Sequence, residues 1–500
     1  MFSAQTHRTI YLVLLALLGA TMVTSVWAAN LVWVLLGVNW LIEGRWQEKW
    51  RMARASRLLQ AFAVFYLIHI VGLLWTSHLD EGLRVLQVKL PLLVVPLVML
   101  TTPHAQRRPR NAILSVYVLT VLVVSIIGAV RLLTIDNLPY RDAVPYISHI
   151  RFALNCCIAI CLLAASCHTH RPLPTLVRLL AAAWLLCFLL MLRSYTALAV
   201  LLAVSLLAAA AQRKRWLWLG LWLLVVGGLS ACIASEVRAY YRLSPLATAP
   251  LAEHTAGGRP YAHGTDGIIE NGNYISRYIC TEELRNEWAR RSTVDYDSVG
   301  DDGFALHPRL VRYLNALGLT KDSVGVWALS DSQVKEIEQG VANPVYSSHN
   351  PVRKMVYVML YEYENHRHSQ SVKGFTMLQR LELWRATLHV VRQKPWLGTG
   401  TGDATADLHA ELHRTGSPLA EGEKRSHNQY LSLLLSFGAV GFILILTAFG
   451  RAWIVSHRRL GLVALAWVLT IAISCLTEDT LDTLAGQLLC TYFLAFIPRE

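Results

Sequence analysis

His427 and Asn428 close a polar stretch, Lys424-Arg425-Ser426-His427-Asn428, and stand where the chain turns apolar from Gln429 onward. A titratable ring at the mouth of a membrane span can move a proton to or from a substrate held at the interface. Upstream, Arg380 and Trp384 lie four residues apart and share one helical face. Leu378, Leu381, Trp384, Leu388 and Val391 recur at three- and four-residue steps, which predicts an amphipathic helix over 376–394. Pro395 and the run Gly398-Thr399-Gly400-Thr401-Gly402-Asp403 end it.

Other chemistry-bearing spacings are weaker. The three glycines of that run resemble a phosphate cradle, but no strand precedes them and no Gly-Lys-Ser/Thr follows, so a tight structural turn is expected. Gly438 and Gly441 read as helix-packing contacts in the bilayer. His409 and His413 share a helical face, but a zinc protease needs Glu directly after the first His, and here Glu411 comes one residue late. His366 and His368 read as solvated surface. The nine cysteines lie almost wholly in apolar runs, and Cys280 alone falls in polar sequence, so neither a disulfide framework nor metal spacing emerges. No metal and no cofactor are expected.

The elements that must position these residues are membrane spans. The chain has 500 residues, 54% hydrophobic and 16% charged, with mean hydropathy +0.40. Apolar runs are expected at 9–28, 29–43, 58–76, 83–102, 112–134, 150–167, 176–193, 195–211, 216–235, 428–450, 460–476 and 481–498, which makes an all-α polytopic membrane protein of about twelve transmembrane helices. The run Thr9–Ala28 reads as a retained first span. The net charge of +13 reflects short basic loops (45–57, 107–110, 171–178, 213–215, 451–459) that fall on one side, the cytoplasmic side by the positive-inside rule, and not a nucleic-acid partner. The expected organisation is helices 1–9 over 1–236, a large, mostly helical periplasmic domain over 237–426 carrying the Arg380 and glycine motifs, and helices 10–12 over 427–500. Short helices are expected at Glu282–Arg291, Pro308–Leu317, from Asp331 and over 351–366, the last Tyr-rich and interfacial.

Charge placement adds a second signal. Lys89 and Arg131 lie inside spans, and Arg84, Arg151 and Arg193 at span ends, all near the periplasmic surface that the positive-inside rule depletes. A cation within a span costs at least about 2–3 kcal/mol at the bilayer centre. Several of these five are expected to form an anion site at headgroup depth. Guanidinium groups bind phosphate bidentately and stay charged.

Three pieces in order, Arg380-x-x-x-Trp384, Pro395-x-x-Gly398-x-Gly400-x-Gly402-Asp403, and His427-Asn428-x-Tyr430-Leu431 followed by Gly438-x-x-Gly441, resemble the shared core of the O-antigen ligase family, which also includes O-antigen polymerases. The 243–350 stretch lies outside those motifs and looks like the insert of Bacteroidetes-type members. The resemblance implies a glycosyltransferase of the inner membrane, its active site facing the periplasm, with His427, Arg380 and Arg193 as catalytic residues. Arg151, Lys89, Arg84, Trp384, Asn428, Tyr430 and Glu478 would bind substrate. Glu478, Asp479 and Asp482, in the turn before the last span, are expected as caps, with support of His427 as a further role. The implied partners are an undecaprenyl diphosphate-linked glycan donor, a lipid A–core acceptor and membrane lipids. The implied reaction is inverting and metal-independent, since arginines can neutralise the diphosphate. A polymerase or a protein O-oligosaccharyltransferase shares the same core. A lipid or solute transporter is a reading of a different class; it would place polar groups near the midplane in two related halves, whereas here the charges gather at one rim.

Overall fold

The structure, a computed structural model, describes residues 3–103, 107–135, 138–165, 174–300, 303–348, 350–369, 376–422, 424–456 and 461–496. Arg171, Arg459 and Cys167 fall outside them. The described chain divides into two compact units, Met1–Trp222 with Arg380–Glu500, and Leu223–Gln379. The motif stretch that begins at Arg380 therefore groups with the apolar helices.

The first unit is built from α1 (Ala4–Thr24), α2 (Val26–Glu43), α3 (Trp46–Ala55), α4 (Arg57–Val71), α5 (Leu79–Lys89), α6 (Pro91–Thr101), α7 (Arg107–Thr134), α8 (His149–Ala165), α9 (Thr175–Met191), α10 (Tyr195–Ala210) and α11 (Arg215–Tyr241), which runs on into the second unit. Among the described residues, seven helical segments are long and apolar enough to cross a membrane. Shorter apolar helices make up the remainder of the expected spans. The protein is thus an all-α, multi-pass membrane protein.

Sequence explains where helices begin. Ser25, Ser56 and Ser194 sit in extended backbone between apolar runs. Each accepts a bond from the third N–H downstream, at Ala28 (3.2 Å), Leu59 (3.2 Å) and Ala197 (3.4 Å). The expected span 83–102 is found as Leu79–Thr101, interrupted at Leu90. Pro91 cannot donate a backbone bond, so one helix ends at Lys89 and another starts at Pro91. The basic stretch 45–57, expected as a loop, is helix α3, with Trp46 and Trp50 exposed beside basic residues. Tertiary packing is dense where small residues allow it. Gly19 lets the Tyr492 hydroxyl approach α1, where a Cβ would stand 2.3 Å from it. Tyr117, Phe152, Phe188, Leu488 and Tyr492 are fully buried in the same core.

The second unit holds α12 (Pro245–Thr248), one two-stranded antiparallel ribbon, β1 (Ile269–Glu270) with β2 (Asn273–Tyr274), and then α13 (Thr281–Arg291), α14 (Leu306–Ala316), α15 (Ser323–Ala328), α16 (Asp331–Glu338) and α17 (Pro351–Ser369). The last opens beside Tyr346 and carries Tyr357 and Tyr361 as expected for a Tyr-rich helix. Trp288, Leu310, Tyr313, Leu314 and Ile337 form this unit's own core. Ser330 and Gln333 make a reciprocal capping box at the start of α16.

The chain returns to the first unit through α18 (Thr376–Gln393), whose bounds match the sequence periodicity, followed by α19 (Ala404–Arg414), α20 (Gln429–Ser456), α21 (Leu462–Thr477) and α22 (Leu484–Thr491). The helix α20 packs along α4, and α21 along α8 and α10. These contacts bring the chain ends that flank α5, α8, α10, α20 and α21 together.

Candidate active site

His427 ends the polar lead-in to α20. Its backbone is held in the left-handed region, φ 50°, which a residue with a Cβ adopts only when its surroundings impose it. Asp479 imposes it. One carboxylate oxygen accepts the His427 N–H at 2.9 Å, and the other accepts the hydroxyls of Ser432 (2.6 Å) and Ser426 (3.2 Å). Asn428 completes the turn by accepting the N–H groups of Tyr430 (3.0 Å) and Leu431 (3.1 Å), so it caps α20. Its side-chain oxygen is thus used by the backbone.

The ring of His427 faces Glu478, with Nδ1 3.8 Å from Oε2. That is an ion-pair distance rather than a direct hydrogen bond. Glu478 is the hub of the cluster. Its Oε1 accepts from Arg380, and its Oε2 lies 3.9 Å from Arg151 Nη2. Arg151 is buried and also donates to the Thr480 hydroxyl (3.2 Å) and the Asp479 carbonyl (3.2 Å). Burial alone would push the Glu478 carboxyl up. The neighbouring His427, Arg380 and Arg151 outweigh it and hold the carboxyl below the usual carboxylate range. Glu478 is therefore a charged orienting group between imidazole and guanidinium, with little capacity left to grip a substrate.

Arg193 reaches the cluster indirectly. Its φ of 49° places it in the same strained region as His427. Its guanidinium lies 5.3 Å from the Tyr140 ring centre. Tyr140 meets the His149 ring edge-to-face at 5.7 Å, and His149 is within electrostatic reach of Arg141, Glu478 and Arg380. A hydroxyl–hydroxyl bond of 2.9 Å between Thr196 and Thr477 ties the Arg193 turn to the residue before Glu478. Among the described residues, no direct contact joins Arg193 to Arg380 or His427.

The other expected cations do not form one ring. Lys89 is buried and pairs with Asp482 at 2.6 Å. Arg84 is exposed and pairs with Glu81 one turn away at 3.4 Å. Arg131 donates to the Asp142 carbonyl at 3.4 Å. For buried Lys89 the physical reason is desolvation: a cation taken from water recruits the nearest carboxylate or carbonyl instead of waiting for an anionic ligand. Tyr430 donates its hydroxyl to the Ala472 carbonyl at 3.1 Å, a tie between α20 and α21. The Trp384 indole N–H is buried with no acceptor among the described residues.

The sequence profile of the family described as O-antigen ligase matches residues 180–446, more than half of the chain. The chain belongs to the O-antigen ligase family. No curated protein matches it. Membership makes this a membrane protein of the ligase and polymerase superfamily, whose substrates are lipid-linked glycans and lipid acceptors. The matched stretch of this O-antigen ligase family member carries Arg193, Arg380, Trp384 and His427. Arg151, Glu478 and Asp479 come from outside it and complete the cluster.

The family's glycine run is a splice between helices. Gly438 has φ 60° and ψ −166° inside α20, a kink that frees backbone groups on both sides. The freed groups bond the turn: Thr399 N–H to the Leu435 carbonyl (2.9 Å), Gly400 N–H to Ser436 (2.9 Å), and Ala439 N–H to Pro395 (2.8 Å). A Cβ at Gly438 would stand 2.3 Å from the Trp396 carbonyl carbon. Asp403, at the end of the run, accepts the N–H groups of Ser77 (2.7 Å) and His78 (2.8 Å) and the His78 ring (2.8 Å). The structural reading of these glycines holds, and Gly438 adds a kink that packing alone did not foresee. Gly441 packs, with its would-be Cβ 3.4 Å from Ile68 of α4. His409 and His413 touch each other, with nitrogens 3.2 Å apart. Among the described residues, no group of three His, Cys, Asp or Glu is arranged to hold a metal.

Two contributors, Tyr140 and His149, escaped the sequence reading, and Asp479 was expected only as a cap with a supporting role beside His427. Asp479 had a signal, since it follows Glu478, but nothing in the spacing showed that it clasps His427. Tyr140 and His149 had none, because their role comes from rings meeting across segments.

Proposed function

We propose that this protein is an O-antigen ligase that transfers polysaccharide from undecaprenyl diphosphate to a sugar hydroxyl of lipid A–core at the periplasmic face of the inner membrane. The observation that carries the reading is the His427–Glu478–Arg380–Arg151 cluster, an imidazole backed by a carboxylate and flanked by guanidinium groups at the ends of apolar helices. His427 acts as general base on the acceptor hydroxyl, and Glu478 stabilises the imidazolium that results. The hydroxyl oxygen bonds to the anomeric carbon as the bond to the diphosphate oxygen breaks, which inverts that centre. Arg380 and Arg193 oppose the charge that builds on the departing diphosphate. Donor and catalysis need no nucleotide sugar, because the activated bond is already in the lipid-linked donor.

The test is genetic. In cells carrying His427→Ala, a lost ligase leaves long polymer on the lipid carrier and bare core on lipid A. Core capped with a single repeat unit would instead identify a polymerase. Wild-type lipopolysaccharide ladders would remove His427 from the mechanism. Labelling of cysteines introduced beside His427 with a membrane-impermeant reagent checks the periplasmic placement.

A further inference from the structure

A second feature lies beside the His427 cluster. A cavity of about 90 Å³ is bounded by α4, α5, α19 and α20. One water needs about 10–15 Å³, so the space admits several waters or one edge of a hydroxylated ring. Its walls differ in kind from the arginine cluster. Lys89 on the lining is already matched by Asp482 at 2.6 Å, Glu81 pairs with Arg84, and Lys424 and Arg425 also line the space. The charged groups here are of both signs.

The lining nonetheless offers unused hydrogen-bonding capacity. His69 is buried between the rings of Phe65 (4.6 Å) and Phe437 (4.6 Å). Its Nδ1 faces the Phe65 carbonyl at 2.8 Å. That contact places the proton on Nδ1 and leaves Nε2 as an acceptor. Nε2 has no hydrogen-bond partner among the described residues. Lys89 spends two donors, on Asp482 (2.6 Å) and the Leu481 carbonyl (3.4 Å), and keeps a third. The Thr405 and Ser436 side chains also line the space. An acceptor, a donor and hydroxyls around a space lined by charges of both signs suit a polyol. Ser426 and Ser432 line the same cavity and bond the Asp479 carboxylate that holds the His427 N–H. A ligand here is thus separated from His427 by one segment of chain.

We propose that this cavity is a sugar subsite, in which a ring hydroxyl donates to His69 Nε2 and another accepts from Lys89, apart from the arginine cluster. The assignment rests on the glycosyl-transfer reading for its meaning but not for its test. The probe is a panel of methyl glycosides added to the purified full-length protein, with thermal unfolding as the readout. At least one glycoside raises the unfolding temperature of the wild type. Thr405→Trp, which fills the space, abolishes that shift, and so does His69→Phe, which keeps a ring between Phe65 and Phe437 but removes the acceptor. His427→Ala retains it. If Thr405→Trp does not fold, His69→Phe carries the test. No shift with any glycoside, or a shift that survives both substitutions, overturns the proposal. In transfer assays, a higher KM for lipid A–core alone assigns the subsite to the acceptor, and one for the lipid-linked glycan alone assigns it to the donor. Unchanged KM values for both overturn its role in the reaction. A glycoside shift alongside normal lipopolysaccharide in His427→Ala cells leaves the sugar subsite standing and removes His427 from the proposed mechanism.

Discussion

His427 and Arg193 are two of the few non-glycine residues with positive φ among the described residues, and both carry proposed chemistry. A left-handed backbone costs an L-residue about 1–2 kcal/mol, which the Asp479 clasp offsets at His427. Asn tolerates that region better than His. His427→Asn should therefore unfold at the same temperature as the wild type or slightly higher, while transfer falls about 10²–10⁴-fold with the base removed. Thermal unfolding and a lipopolysaccharide gel on the same variant check both halves. Glu478→Gln keeps the shape but leaves Arg151 and Arg380 facing a neutral group. Since Glu478 titrates below an ordinary carboxyl in the fold, its stabilisation is complete above about pH 4.3 and is lost as pH falls through its lowered folded value. The variant should show a flatter decline of stability in acid than the wild type, measured by unfolding temperature across that range.

At the scale of elements, the kink in α20 and the turn 395–403 depend on each other. Gly438→Ala forces a side chain into a conformation close to glycine-only and against the Trp396 backbone. A loss of about 3 kcal/mol or more is expected, read as a large fall in unfolding temperature or in membrane yield. Asp403 anchors the far end of the turn. Burial would raise its carboxyl, but the N–H groups of Ser77 and His78, the His78 ring and the Thr76 hydroxyl bring it to about 2. The folded value lies below the roughly 3.9 of an unfolded Asp. Its contribution is thus full above about pH 4 and disappears as pH falls towards 2. Asp403→Asn should cost about 1.5–3 kcal/mol at neutral pH, and little at the acid end, as chemical denaturation at two pH values would show.

At the scale of the molecule, two units have separate cores. Trp288 is fully buried in the core of the second unit, with its indole N–H on the Val294 carbonyl at 2.8 Å. Trp288→Ala should cost that core about 3–5 kcal/mol. Limited proteolysis should then cut first within 223–379, while the apolar helices stay protected. Simultaneous loss of both regions would show that the units do not unfold separately.

Membrane helices were legible because apolar runs of bilayer length are local signals. The helix over Thr376–Gln393 was legible because its periodicity is local too. Arg380 and His427 announced themselves by residue type at span mouths. Glu478 and Asp479 were expected near His427, but which groups each of them would hold was not. The carboxylate between His427, Arg380 and Arg151 lies in the turn after α21, and its neighbour Asp479 sets the His427 backbone. Pairing across such separations leaves no periodic trace in the chain. The same limit applies to the expected anion site: charge and depth can be read from a string of residues, but which carboxylate neutralises Lys89 is decided only when α5 meets the turn carrying Asp482, because electrostatic partners are chosen by distance in space.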